Sequence, residues 1–135
     1  MESVTIDFDK AGGLVPAIIQ DHLTGDVLML GFMNPDSLAE THRSGEVVFF
    51  SRSRNKLWKK GESSGHVLKV REVRVDCDAD ALLLRVDAVG PGVCHEGYRS
   101  CFFRTIDARG AAKITDERTF APEAVYGSPQ QEKKP

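Results

Sequence analysis

Two apolar runs begin the readable pattern of this chain, LVPAIIQ at residues 14 to 20 and VLMLGFM at residues 27 to 33. The stretch between them, DHLTGD, carries the Asp, Thr and Gly that suit a turn, so residues 14 to 33 are expected to form a β-hairpin. A short helix should follow: Asn34 can cap it, Pro35 suits its first position, and Gly45 can end it after DSLAETHRS. EVVFFSRS, residues 46 to 53, then reads as a strand. Residues 67 to 76 and 80 to 89 read as two more, each with β-branched side chains. From Pro122 the chain turns polar and proline-bearing, so residues 1 to 121 are expected to form the domain and residues 122 to 135 a mobile tail. The pattern predicts a β-rich α+β single domain with one short helix in its N-terminal third.

Composition narrows the function more than the fold. A chain of 135 residues, 41% hydrophobic and 28% charged, suits one globular domain with a substantial core. Its formal charge of -2 gives no overall attraction to nucleic acid or to anionic membranes, so any basic feature must act locally. No apolar run approaches the ~18 residues that span a bilayer. The opening MESVTIDFDK lacks the basic and apolar regions of a signal peptide, which makes a cytoplasmic protein the expectation. Three cysteines cannot all pair with one another, and a reducing cytoplasm disfavours disulfides, so metal binding or catalysis competes with plain burial as their explanation.

All three cysteines and three alternating aspartates lie within RVDCDADALLLRVDAVGPGVCHEGYRSCFFR, residues 74 to 104. Cys94 and Cys101 are seven apart and Cys77 lies far upstream, unlike the paired knuckles of structural zinc sites. A buried free cysteine is commonplace, yet three of them near Gly, His and Asp suit zinc held by three protein ligands, the open arrangement of catalytic sites. His95 would either close that site as a fourth ligand or move protons beside it. In an extended segment Asp76, Asp78 and Asp80 would project on one face, about 6.6 Å apart, with Cys77 and Ala79 on the other. At that separation two carboxylates repel by about 2.5 kcal/mol at an effective dielectric near 20. They are then either a solvated acidic edge or a hard-oxygen site for Mg²⁺ or Ca²⁺.

A second cluster is SRSRNKLWKKGESSGH, residues 51 to 66, where five of the nine residues from Arg52 to Lys60 are basic and Trp58 stands among them. Such a run is most often a solvated face, and the aromatic admits single-stranded nucleic acid. Gly61 and Gly65 with Ser63 and Ser64 point instead to the phosphate oxygens of a small molecule, met by backbone amides, hydroxyls, Arg and Lys.

LWKKGESSGH followed by DCDADALLLRVDAVGPGVCHEGYRSCFFR resembles phosphoribosyl-AMP cyclohydrolase, the enzyme family that opens the adenine ring in histidine biosynthesis. The resemblance implies Zn²⁺ on Cys77, Cys94 and Cys101, and Mg²⁺ on Asp76, Asp78 and Asp80. It implies an intertwined homodimer that shares its zinc ligands between chains and takes phosphoribosyl-AMP as its small-molecule substrate, with no nucleic acid or membrane partner. His95 is then the candidate catalytic proton carrier. Arg52, Arg54, Trp58, Lys59, Lys60, Gly61, Glu62, Ser63, Ser64, Gly65 and His66 become the candidate substrate-binding stretch. Rival readings lack their signatures: a nucleobase deaminase needs H-x-E and P-C-x-x-C, and a zinc protease needs H-E-x-x-H, where HEGYR ends in Arg99. A zinc module that binds RNA through residues 52 to 60 is the non-enzymatic alternative.

Overall fold

The computed structural model describes residues 3–126. The expected hairpin is β1 (Val15–Asp21) and β2 (Val27–Met33), paired antiparallel. Val15, Ala17 and Ile19 alternate inward along β1 and are fully buried, the period-2 burial of a sheet with one face on the core. Pro16 is tolerated in this central strand because pairing with β6 begins only at Ala17. The turn is closed by the Asp21 carboxylate, which accepts from the Leu23 and Thr24 amides at 2.8 and 3.2 Å.

Helix α1 (Pro35–Ser44) has the ends that its residues call for. Asn34 and Ser37 cap each other reciprocally, with side-chain to amide bonds of 2.8 and 2.9 Å, and Gly45 takes the left-handed φ of 75° that ends the helix. The buried Thr41 hydroxyl donates to the Ser37 carbonyl and accepts from the Val48 amide, pinning α1 to the next strand.

That strand, β3 (Val48–Ser51), is shorter than the stretch expected from residues 46 to 53 and pairs with β4 (Lys56–Lys59) in a separate two-stranded sheet. The sequence pattern does not signal β4, since its basic residues mask a buried member. Trp58 is 2% exposed and stacks on Phe49 with ring centroids 5.8 Å apart. Strands β5 (Leu68–Val75) and β6 (Leu82–Ala88) fall within their expected ranges, and the main sheet runs β2-β1-β6-β5. β1 and β6 are parallel, which places Leu82, Leu84 and Val86 beside the buried residues of β1 in one core.

A third pair, β7 (Arg104–Ile106) and β8 (Ala112–Ile114), projects exposed side chains and has no counterpart in the expected pattern. The expected tail also begins differently. Residues 122 to 126 form a short helix, α2 (Pro122–Tyr126), and Tyr126 is buried; the Phe120 ring lies 6.2 Å from it. An aromatic that can reach the core overrides the polar composition around it. The remainder of that expectation, residues 127 to 135, lies outside the described residues. The described part is a β-rich α+β domain with one main helix, and no helix among the described residues is long and apolar enough to cross a membrane.

Candidate active site

The cysteine loop after β6 is folded on itself by its own backbone: the Val93 and Cys94 amides donate to the Arg99 and Tyr98 carbonyls at 3.1 Å, and Gly97 donates to Cys94 at 3.0 Å. Gly92 is required here, because a Cβ would sit 2.5 Å from the Tyr98 carbonyl oxygen. The loop is then fastened to the first hairpin. The Cys101 amide donates to the Leu28 carbonyl at 2.7 Å, and the Ser100 hydroxyl donates to Val27 at 2.8 Å. The Arg99 guanidinium reaches Asp26 at 2.6 Å, Asp21 at 2.7 Å and the Thr24 hydroxyl at 3.2 Å.

This fastening brings together Cys94, His95 and Cys101, which line a cleft of about 230 Å³ with Glu96, Phe103 and Arg104. Cys94 is 3% exposed, and a hydrogen bond with Cys101 is the main reason its thiol is lowered to about 6 against the pull of burial, with help from loop amides. Two thiols in contact, one of them poised to ionise near neutral pH, are donors that suit zinc. Cys77 is exposed in the β5–β6 turn. Among the described residues it does not gather with the other two cysteines, since the only group of three potential metal donors is Asp76, Asp78 and Asp80. Of the three cysteines, the two whose thiols meet within one chain are Cys94 and Cys101.

The aspartates do converge, for a different reason from strand alternation. Residues 76 to 80 form a turn, in which Asp76 accepts from the Asp80 and Ala81 amides at 3.0 and 3.2 Å and Ala79 takes a positive φ of 60°. Carboxylate oxygens of all three lie within 4.8 Å of one another. The Lys10 ammonium stands between Asp78 Oδ2 and Asp80 Oδ2, at 3.1 and 2.9 Å. A cation already sits against these oxygens, so the trio has the charge and the donor type that suit a hard divalent ion. Hydrogen bonding to Lys10 pulls Asp78 below its ordinary range. A separate bond from Lys10 pulls Asp80 down too, but Asp78, burial and Asp76 outweigh it and hold Asp80 above its range. Lys10 is raised by its bonds to Asp80 and Asp78.

The candidate substrate-binding stretch does not form one surface. Arg52, Arg54, Glu62, Ser63 and Gly65 are exposed and Ser64 is half-buried, whereas Trp58, Lys60, Gly61 and His66 lie inside. The Arg52 guanidinium covers the Phe32 ring at 4.0 Å, and Lys59 pairs with Glu46. Lys60 is 3% exposed with its ammonium 5.4 Å from the centroid of Trp58, so this basic run is split between solvent and core. His66 ties the stretch to the cysteine loop. Its Nδ1 lies 3.0 Å from the Gly92 carbonyl, which can only accept, so Nδ1 carries the proton. Its ring also packs where a Gly90 Cβ would fall 2.4 Å away. Sequence reasoning missed Lys10, Arg99 and Arg104, because a lone basic residue among acidic or aromatic neighbours has no periodic signature.

Comparison with known proteins identifies the family of the chain. A family model described as phosphoribosyl-AMP cyclohydrolase matches residues 29–103, the span from β2 through the cysteine loop. Proteins named phosphoribosyl-AMP cyclohydrolase are similar along nearly the whole chain. The one from Solibacter usitatus is 57% identical over 124 residues, covering 92% of this chain and 98% of its own. That from Desulforapulum autotrophicum is 52% identical over 123 residues, covering 91% and 98%. That from Methanosarcina barkeri is 50% identical over 129 residues, covering 93% and 96%. Matched in its central motifs and over about nine-tenths of its length, the chain belongs to the phosphoribosyl-AMP cyclohydrolase family.

Proposed function

We propose that this enzyme hydrolyses the N1–C6 bond of phosphoribosyl-AMP, opening the adenine ring to give the phosphoribosylformimino-aminoimidazole carboxamide ribotide of histidine biosynthesis. The observation that carries the reading is the cleft in which Cys94, Cys101, His95 and Arg104 meet. N1-substitution makes the adenine ring cation-like and C6 electrophilic. Hydroxide adding to C6 gives a tetrahedral centre, and that centre collapses by expelling N1 once N1 gains a proton.

Cys94 and Cys101, with Cys77 of the partner subunit, would hold zinc. Bound there, zinc would supply the Lewis acidity that takes the pKa of a water from ~15.7 to about 7, where a general base alone contributes roughly 10²- to 10⁴-fold. His95 follows Cys94 in the chain and is half-buried in the same cleft, which supports a role in accepting a proton from water and returning it to N1. Asp76, Asp78 and Asp80 would hold magnesium, whose role when bound is to neutralise substrate phosphate. Arg104 would supply a positive charge at the cleft. Exposed Arg52 and Arg54 remain available to the ribose phosphates.

The separation of Cys77 from the thiol pair supports a homodimer with shared zinc ligands. Two further features support a second copy of the chain as the partner. The outer sheet face carries an apolar groove of about 250 Å³ lined by Ile18, Val75 and Leu83, and Phe102, Ile106 and Ile114 are 56%, 73% and 59% exposed. A cytoplasmic location suits an enzyme that needs its thiols reduced, and no cysteine is in a disulfide.

The test is direct. Purified protein loaded with zinc and magnesium is incubated with phosphoribosyl-AMP, and the product should gain the mass of one water. Tight substrate binding without that gain, together with strong salt-dependent binding to single-stranded RNA, would replace the enzyme with the zinc-module reading.

A further inference from the structure

The N-terminal segment is built around one charged contact. Ile6 and Phe8 pack against the core, and the Asp7 amide donates to the Ala79 carbonyl at 2.7 Å, so the segment is tied to the aspartate turn by its backbone. The chain then reverses. Gly13 donates to the Phe8 carbonyl at 2.7 Å, Gly12 takes a positive φ of 75°, and the Lys10 amide donates to the Asp7 carboxylate at 3.2 Å. Each of these bonds places Lys10 without using its ammonium. The ammonium nevertheless ends between Asp78 Oδ2 and Asp80 Oδ2, at 3.1 and 2.9 Å.

Three carboxylates gathered within 4.8 Å repel one another, and Lys10 supplies one compensating charge from outside the turn. A divalent cation at the trio would need the same two oxygens. Ammonium and metal cannot both occupy the space between them. From this juxtaposition we infer that Lys10 is a tethered competing cation: it holds the aspartate turn together when no divalent ion is bound, and it is displaced when one binds.

Two consequences follow. The metal-free chain keeps its carboxylates gathered instead of splaying them apart, so the site is formed before the ion arrives. The same contact weakens the net affinity for the ion, because each binding event must break it. This leaves the cation exchangeable, which suits a site that meets substrate phosphates in every turnover. The inference rests on the assignment of a divalent ion to Asp76, Asp78 and Asp80.

Manganese titration followed by electron paramagnetic resonance tests it, with Mn²⁺ as the probe and Asp78→Asn as the site control. Lys10→Met should bind Mn²⁺ about 3- to 10-fold more tightly than the unaltered chain, whereas Lys10→Arg, which keeps a cation on the tether, should stay close to it. In EDTA the Lys10→Met protein should melt at a lower temperature, and saturating Mn²⁺ should bring the two melting curves together. Equal or weaker Mn²⁺ affinity in Lys10→Met, with binding still abolished by Asp78→Asn, would overturn the competing role while leaving the metal site standing. If Asp78→Asn binds Mn²⁺ as the unaltered chain does, or neither chain binds it, the site and the competition fall together.

Discussion

Cys94 shows how one contact sets the chemistry of a side chain. Burial alone would push its thiol upward, yet the hydrogen bond with Cys101 lowers it to about 6. The thiol form dominates below that value and the thiolate above it. In zinc-free protein the alkylation rate of Cys94 by iodoacetamide should therefore rise with a midpoint near 6, well below the ordinary thiol value of about 8.5. Because the two thiols share a proton, the curve belongs to the pair, and Cys101→Ala, which removes the donor, should move it upward. A midpoint that stays put in Cys101→Ala would show that the contact does not control the thiol. His95 is separable by the same reasoning. If it only carries protons, His95→Ala should lose about 10²- to 10⁴-fold in kcat while the zinc content is unchanged; loss of zinc would make it a ligand.

Elements become a site here through one arginine. Arg99 leaves the cysteine loop and grips the β1–β2 turn through Asp21, Asp26 and Thr24, which fixes Cys101 against β2. Burial pushes the Asp21 carboxyl up, but the Leu23 and Thr24 amides and the Arg99 guanidinium outweigh it and hold the group below its ordinary range. A carboxylate depressed in the folded state stabilises it above the unfolded value of about 3.9, and that contribution disappears as pH falls through the lower folded value. Asp21→Asn keeps the turn's acceptor oxygen and removes the charge. Its loss of stability relative to the unaltered chain should be constant at neutral pH and shrink below about pH 4, as read by urea unfolding. A difference that persists unchanged to pH 2 would assign the effect to packing. Amide exchange at Cys101 should quicken in Arg99→Met, since its bond to Leu28 depends on how firmly the loop is seated.

At the scale of the molecule the question is whether one chain makes a site. Sixteen residues separate Cys77 from Cys94, and the fold places Cys77 apart from the thiol pair. If the third thiol comes from a second copy, Cys77→Ser and Cys94→Ser should each be inactive alone. In a mixed dimer one site carries both lesions, and the other combines an intact Cys77 with an intact Cys94 and Cys101. Co-expression of the two variants with different tags, followed by isolation of the heterodimer, should recover about half of full activity, one good site of two. A heterodimer as inactive as its parents would return all three cysteines to a site within a single chain.

Local structure was legible wherever a pattern of period or capping decided it. The β1–β2 hairpin, the ends of α1 at Asn34 and Gly45, and strands β5 and β6 follow from residues close in sequence, because alternation and capping act over a few positions. The motif residues marked the cleft chemistry for the same reason: Cys94, His95 and Cys101 lie on one short loop. What the chain order could not reveal depends on long-range packing. Trp58 reads as a surface aromatic among lysines until β4 pairs with β3 and turns its ring onto Phe49. Asp76, Asp78 and Asp80 meet through a turn rather than by strand alternation, and Lys10 reaches Asp78 across 68 positions of sequence. Sequence determined which groups are present and which short elements carry them. Tertiary structure decided which of them meet, because a contact between distant residues is set by how the sheets and loops bury their apolar faces.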